Sequence, residues 1–190
     1  MKKKVFPTLL ICVLSLSSCS ESDPAAKDRI KIDELEAKMA EITEQGFDRQ
    51  LAAEAIGAYI GFAEKYPDDV MAVEYYFKAA KICMSLELGS QAIMYFNHVE
   101  TKYPQSERAA LSIFMQAFVY ETVVRNLNKA EEYYRKFIDK YPDHEFANDA
   151  RISIEQLGMS PEELIRQFEN MESNPKGDTL ASPDTTAVPA

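Results

Sequence analysis

Apolar residues in this chain recur with two nested periods. The short period is helical. Ala55, Tyr59 and Phe62 stand four and three residues apart, and Pro67 follows five residues later. Ala92, Phe96, Val99 and Pro104 repeat that spacing, and Ala130, Tyr134, Phe137 and Pro142 repeat it again. Positions i, i+4 and i+7 fall on one face of an α-helix. The spacing predicts three amphipathic helices, each turning a small, an aromatic and a large apolar residue inward. The long period is the distance between the prolines, 37 and then 38 residues.

Each predicted helix stops in the same way, at Lys65-Tyr66-Pro67, Lys102-Tyr103-Pro104 and Lys140-Tyr141-Pro142. Proline cannot continue a helix, and it pushes the residue before it out of the helical region. The lysine lies in the last turn, where a cation favours the negative end of the helix dipole. Polar residues follow (Asp68-Asp69, Gln105-Ser106, Asp143) and are expected to cap a second set of helices. Those helices carry Ala72, Ala109 and Ala147, each five residues past its proline. Ser90 and Asn128 are the expected N-caps where the chain re-enters the Ala–aromatic helix. The unit is thus helix, turn, helix, proline.

This unit resembles the tetratricopeptide repeat, whose second helix carries Ala, three residues, Phe and a closing Pro. The first helix has no Trp-x-x-Leu-Gly, and Ala79-Ala80 or Ala117 supply its small residues. The period also exceeds the 34 residues typical of the repeat. The resemblance implies an all-α superhelix, an α-solenoid of about four helix pairs, over residues 27–172. Residues 27–45 add a first helix, ended by Gly46, with Ile32, Leu35, Met39 and Ile42 spaced 3, 4 and 3. That stripe reads either as a coiled-coil seam or as a partner helix for 48–65. It spans under two heptads, so the partner helix is preferred. Residues 143–172 read as capping helices. The last opens with Ser160 as N-cap, Pro161 in its first turn and Glu163 completing a capping box.

The ends lie outside this pattern. Three lysines and a short apolar run open the chain, too short to span a bilayer and fitting the core of a secretory signal. Leu16-Ser17-Ser18-Cys19 resembles the lipobox of bacterial lipoproteins. The resemblance implies a signal peptide over 1–18, acylation of Cys19, and a polar tether over 19–26. Several acyl chains anchor a protein firmly. Residues 173–190 hold three prolines and no aromatic, and read as a disordered tail. The net charge of −10 would become −13 once the three leading lysines are removed. An acidic chain of this kind excludes nucleic acid and a polybasic membrane patch.

Candidate chemistry is sparse. His144-Glu145 begins like a zinc-binding His-Glu-x-x-His, but Asn148 takes the place of the second histidine. His98 and His144 are expected at the surface, and Cys83 in the core. No phosphate cradle or nucleophile elbow is present, so no enzymatic activity, metal or cofactor is expected. Successive rings at Tyr75, Tyr76 and Phe77 span too wide an arc for one buried stripe, and Tyr133 points away from Tyr134. These four are the candidate partner-binding residues, since tyrosine is a frequent anchor at interfaces.

The longer repeat closed by Tyr-Pro, together with the lipobox, resembles outer-membrane lipoproteins of the BamD-like group and the repeat domain of CpoB-like periplasmic proteins. The first resemblance implies a lipid-anchored scaffold in outer-membrane protein assembly, binding envelope proteins or peptides from the periplasmic face. The cell surface is the other possible side. The second implies a coordinator of cell-wall and Tol–Pal machinery that oligomerises through residues 32–42.

Overall fold

A computed structural model describes residues 23–42 and 48–173. The lipobox Leu16–Cys19, Gly46 and the tail beyond Ser173 lie outside the described residues, as does the side chain of Ile42. Among the described residues there are eight α-helices and no strand: α1 (Ala26–Ile42), α2 (Arg49–Lys65), α3 (Val70–Ser85), α4 (Gly89–Lys102), α5 (Glu107–Thr122), α6 (Leu127–Lys140), α7 (Ala147–Gln156) and α8 (Pro161–Ser173). From α1 to α7 each helix packs on the next, and α3 also packs on α5. Short turns between long helices force antiparallel neighbours. The chain is therefore an all-helical solenoid of the tetratricopeptide kind.

The repeated stop has one geometry three times over. Tyr66 (φ −128, ψ 63), Tyr103 (φ −125, ψ 53) and Tyr141 (φ −137, ψ 62) leave the helix in the same non-helical conformation. Each donates its backbone N–H to the carbonyl four residues back, on Phe62, Val99 or Phe137. Each carbonyl then accepts from the N–H three residues on, of Asp69, Ser106 or His144. A second such turn follows, from Ala72, Ala109 and Ala147 to those three residues. All three alanines are buried, so the next helix can sit close against the proline turn.

The tyrosine side chain has its own partner. Tyr103 Oη donates to the carbonyl of Pro67 at 3.0 Å, and Tyr66 Oη donates to the carbonyl of Pro24 at 2.9 Å. Tyr103, which leaves the second repeat, thus ties to the closing proline of the first, while Tyr66 ties to the segment that leads into α1. In the third copy the Tyr141 ring packs on Phe137 and His144.

The helix faces fill three connected clusters. Ile32 of α1 meets Ala55, Tyr59 and Phe62 of α2 and Tyr75 and Ala79 of α3. Ala63, Tyr76, Phe77, Cys83, Ala92, Phe96 and Val99 follow. Ala110, Ile113, Ala117, Ala130, Tyr134, Phe137, Ala147 and Ala150 close the series. Ile32 and Leu35 are buried in this stack, and Met39 packs against it. Ile32, Leu35 and Met39 are therefore used as the face of a partner helix and do not form an open coiled-coil seam.

Several local expectations are corrected. Asp69 and Ser106 cap α3 and α5 with their side chains, but Asp143 does not cap α7. There His144 Nδ1 accepts from the N–H of Phe146 instead. Ser90 is not an N-cap: α4 already starts at Gly89, and its cap position, Leu88, makes no side-chain bond. Gly89 is pressed so closely on the next turn that an added Cβ would lie 2.8 Å from Val124. The cap of α6 is Asn126, not Asn128. Its Oδ1 accepts from Lys129 N at 3.0 Å, the three-residue reach an N-cap requires. The capping box of α8 forms in both directions, Ser160 N to Glu163 Oε2 and Glu163 N to Ser160 Oγ. Yet α8 packs substantially on no other helix, and Ile165 and Phe168 stay more than half exposed. Only α7 of the expected capping pair closes the stack.

Gly57 and Gly61 sit inside α2 with nothing within 4 Å of an added Cβ. Each Gly→Ala change should raise unfolding free energy by about 1 kcal/mol, because the helix interior penalises glycine by that amount. Tyr103→Phe should cost about 1 kcal/mol through loss of its bond to the carbonyl of Pro67. Equilibrium urea denaturation of the three variants checks both signs.

Candidate protein-binding surface

The repeat period maps the open face of the solenoid. Residues at equal distance past Pro67, Pro104 and Pro142 occupy the same height and side of α3, α5 and α7. One row holds Glu74, Leu111 and Asp149, the next Lys78, Met115 and Ser153, and the next Lys81, Phe118 and Gln156. All nine are exposed or half-buried. The packing of α3 on α5, with no comparable packing between second helices, draws this side together. Solenoids offer an extended binding surface on the inner side lined by such helices, which makes this face the candidate.

Its chemistry changes from helix to helix. On α3 the charges are largely matched within the fold. Lys78 Nζ lies 2.7 Å from Glu36 of α1. Arg108 of α5 grips Glu74 with two bonds, at 2.7 and 3.0 Å, and its guanidinium lies 4.8 Å from the Phe77 ring centre. Lys81 is exposed and forms no ion pair among the described residues. On α5 the face is apolar, with Leu111 and Met115 half-buried and Phe118 exposed at 37%. On α7 it is polar and acidic, with Ile152 the one exposed large apolar side chain.

The expected aromatic anchors lie elsewhere. Tyr75, Tyr76 and Phe77 are all buried, at 2%, 1% and 4% exposure. The arc they span is too wide for one neighbour, but α3 has neighbours on three sides. Tyr75 packs on Tyr59 and Phe62 of α2, and Phe77 on Phe96 of α4. Tyr76 meets His98 edge-on at 5.3 Å. They are core, and they offer no ring to a partner. Tyr133 is half-buried against Tyr120, with Lys136 Nζ 4.9 Å from its ring centre. The twelve repeat residues divide by type. The three alanines, Tyr59, Phe62, Phe96, Val99, Tyr134 and Phe137 are buried, while Pro67, Pro104 and Pro142 are exposed.

Sequence reasoning also missed a buried polar link between repeats. Glu100 of α4 is 8% exposed and accepts from Lys136 Nζ of α6 at 2.8 Å and from Gln116 Nε2 of α5 at 3.1 Å. Gln116 and Ser112 are fully buried, and Gln116 Oε1 and Ser112 Oγ have no partner among the described residues. The available signal was a pair of polar residues four apart, at core spacing in α5. The repeat tyrosines are polar at their tips as well: Tyr59 Oη donates to Glu36 and Tyr134 Oη to Glu121. Burial, then the carboxylate, pushes both phenols up.

The histidines are half-buried rather than on the surface. The two lie among tyrosine and phenylalanine rings, which enclose them without offering metal ligands. Among the described residues no three His, Cys, Asp or Glu side chains are grouped to hold a metal, and no helix is long and apolar enough to cross a membrane. Cys83 is buried and free, and burial pushes its thiol up to about 11. A depression of about 550 Å³ lies over Glu132, Arg135, Lys136, Asp139 and Lys140, all on the outer side of α6. It is open and charged, unlike an apolar small-molecule pocket.

Comparison with known families agrees with this geometry. Residues 109–144, from the start of α5 to just past Pro142, match the tetratricopeptide repeat. No curated protein matches the chain. Tetratricopeptide repeats are protein-interaction modules, and this chain has the corresponding scaffold and open face.

Two measurements probe the site's surroundings. Burial, then repulsion from Lys102, lowers the His98 pKa. The unfolded chain therefore takes up a proton near pH 6.5 that the folded chain resists, so stability is lost as pH falls below that value. The stability difference between wild type and His98→Gln should shift toward the variant between pH 7.5 and pH 5.5. Cys83 should stay unreactive toward a thiol reagent at pH 8 until denaturant opens the stack.

Proposed function

We propose that this protein is a non-enzymatic, lipid-anchored scaffold of the bacterial envelope. It holds partner proteins on the concave face of α3, α5 and α7 during outer-membrane protein assembly, in the manner of the BamD-like group. The observation that carries the reading is the threefold recurrence of the Lys-Tyr-Pro unit behind a lipobox-like Leu16-Ser17-Ser18-Cys19. A signal and acylated cysteine would tether the solenoid by its first helix, leaving the open face free for partners in the periplasm.

The burial of Ile32 and Leu35 favours this reading over a CpoB-like coordinator. Oligomerisation through that helix would require pulling it away from α2 and α3. The cost would include the bonds from Tyr59 and Lys78 to Glu36.

In-cell crosslinking of the full-length protein, followed by membrane solubilisation and affinity capture, tests the proposal. Recovery of barrel-assembly subunits, lost from the membrane fraction when Cys19→Ala releases the anchor, is the expected result. Recovery of Tol–Pal or cell-wall enzymes without them would overturn it.

A further inference from the structure

We infer that the concave face is selective by charge and takes an extended segment that is acidic at one end, apolar in the middle and basic at the other. This rests on the reading of that face as the partner-binding surface.

The middle follows from α5. Leu111, Met115 and Phe118 form the apolar strip of the groove, and the rows flanking it on α3 and α7 are charged or polar. The ends follow from which charges remain unmatched. Lys78, Glu74 and Arg108 are bound within the fold and have little left to offer a ligand. Lys81 is not, and it shares a row with Phe118. At the other end of the strip stand Glu107, at the start of α5, and Asp149 on α7. Both are exposed and neither forms an ion pair among the described residues.

Eleven residues separate Glu107 from Phe118. At about 1.5 Å rise per helical residue the two ends are about 16 Å apart. About five extended residues cover that distance. Charge at both ends fixes the direction of the bound segment, and the exposed aromatic supplies an anchor beside Lys81. A uniformly acidic segment would meet Glu107 and Asp149, and a uniformly basic one would meet Lys81. The net charge of −10 acts over longer range and is screened beyond roughly 8 Å at physiological salt, so the local pattern decides.

Fluorescein-labelled peptides test this on the full mature chain. The probes are Asp-Asp-Leu-Leu-Phe-Leu-Lys-Lys, the same core with Asp at both ends, and the same core with Lys at both ends, with termini blocked. The bipolar peptide should bind about fivefold more tightly than either uniform one, the range for partly exposed charge pairs. Lys81→Glu should remove that preference and favour the peptide with Lys at both ends. Phe118→Ala should weaken all three about tenfold, as loss of an aromatic anchor does. Equal binding of the three peptides, or a preference unmoved by Lys81→Glu, overturns the inference. So does the absence of binding by any of them, and in that case envelope partners captured in cells would leave the scaffold reading standing.

Discussion

The structure depends on how each Ala–aromatic helix ends. A proline that stops a helix is ordinary; three prolines that stop helices in one backbone geometry set the pitch of an assembly. The N–H of the tyrosine closes the old helix and its carbonyl opens the turn into the new one. In the second copy its hydroxyl reaches back to the carbonyl of the preceding closing proline, and in the first to the carbonyl of Pro24 ahead of α1. One residue type thus fixes a helix end, a turn and the spacing between repeats. The buried alanines after each turn let the next helix settle at a constant distance, and the aromatic clusters then follow with little freedom.

A stack made this way divides its surface by position. Second helices bury their repeat residues and turn polar outer faces to solvent. First helices are packed on more sides, which is why α3 can bury three successive rings. The face left open on α3, α5 and α7 is what remains after those demands are met. Its charges are partly consumed in holding the helices together, through Glu36 with Lys78 and Glu74 with Arg108. The buried Glu100–Gln116–Lys136 link adds a polar element between the second and third repeats. Burying charge is costly unless its bonds are supplied, and Lys136 and Gln116 supply them to Glu100.

The two ends behave differently. At the start, α1 is held by its interface: Ile32 and Leu35 are buried, and Asp28, Arg29 and Glu36 bind Lys65 of α2, the α3 cap Asp69 and Lys78 of α3. At the finish, α7 closes the core and α8 stands off with an exposed apolar pair. Repeat proteins need atypical terminal units because the last hydrophobic face has no neighbour to cover it. Here α1 meets that need by burial, and α7 by being short.

The sequence by itself determined the fold class and the place of the three Tyr-Pro helix stops, because those depend on local geometry. Helical spacing, proline and a strict period act within a few residues and survive without tertiary knowledge. The capping box at Ser160–Glu163 was legible for the same reason. Only the tertiary structure decided the rest. Caps at Leu88 and Asn126 depend on how tightly one turn presses on the next. The fate of Tyr75, Tyr76 and Phe77 depended on how many neighbours α3 has, which no single helix reveals. Whether a lysine in the groove is free or spent depended on a carboxylate about 40 residues away in the chain, as Lys78 and Glu36 show. The open face is defined by what other helices fail to cover, so its residues carry no signature of their own until the stack is built.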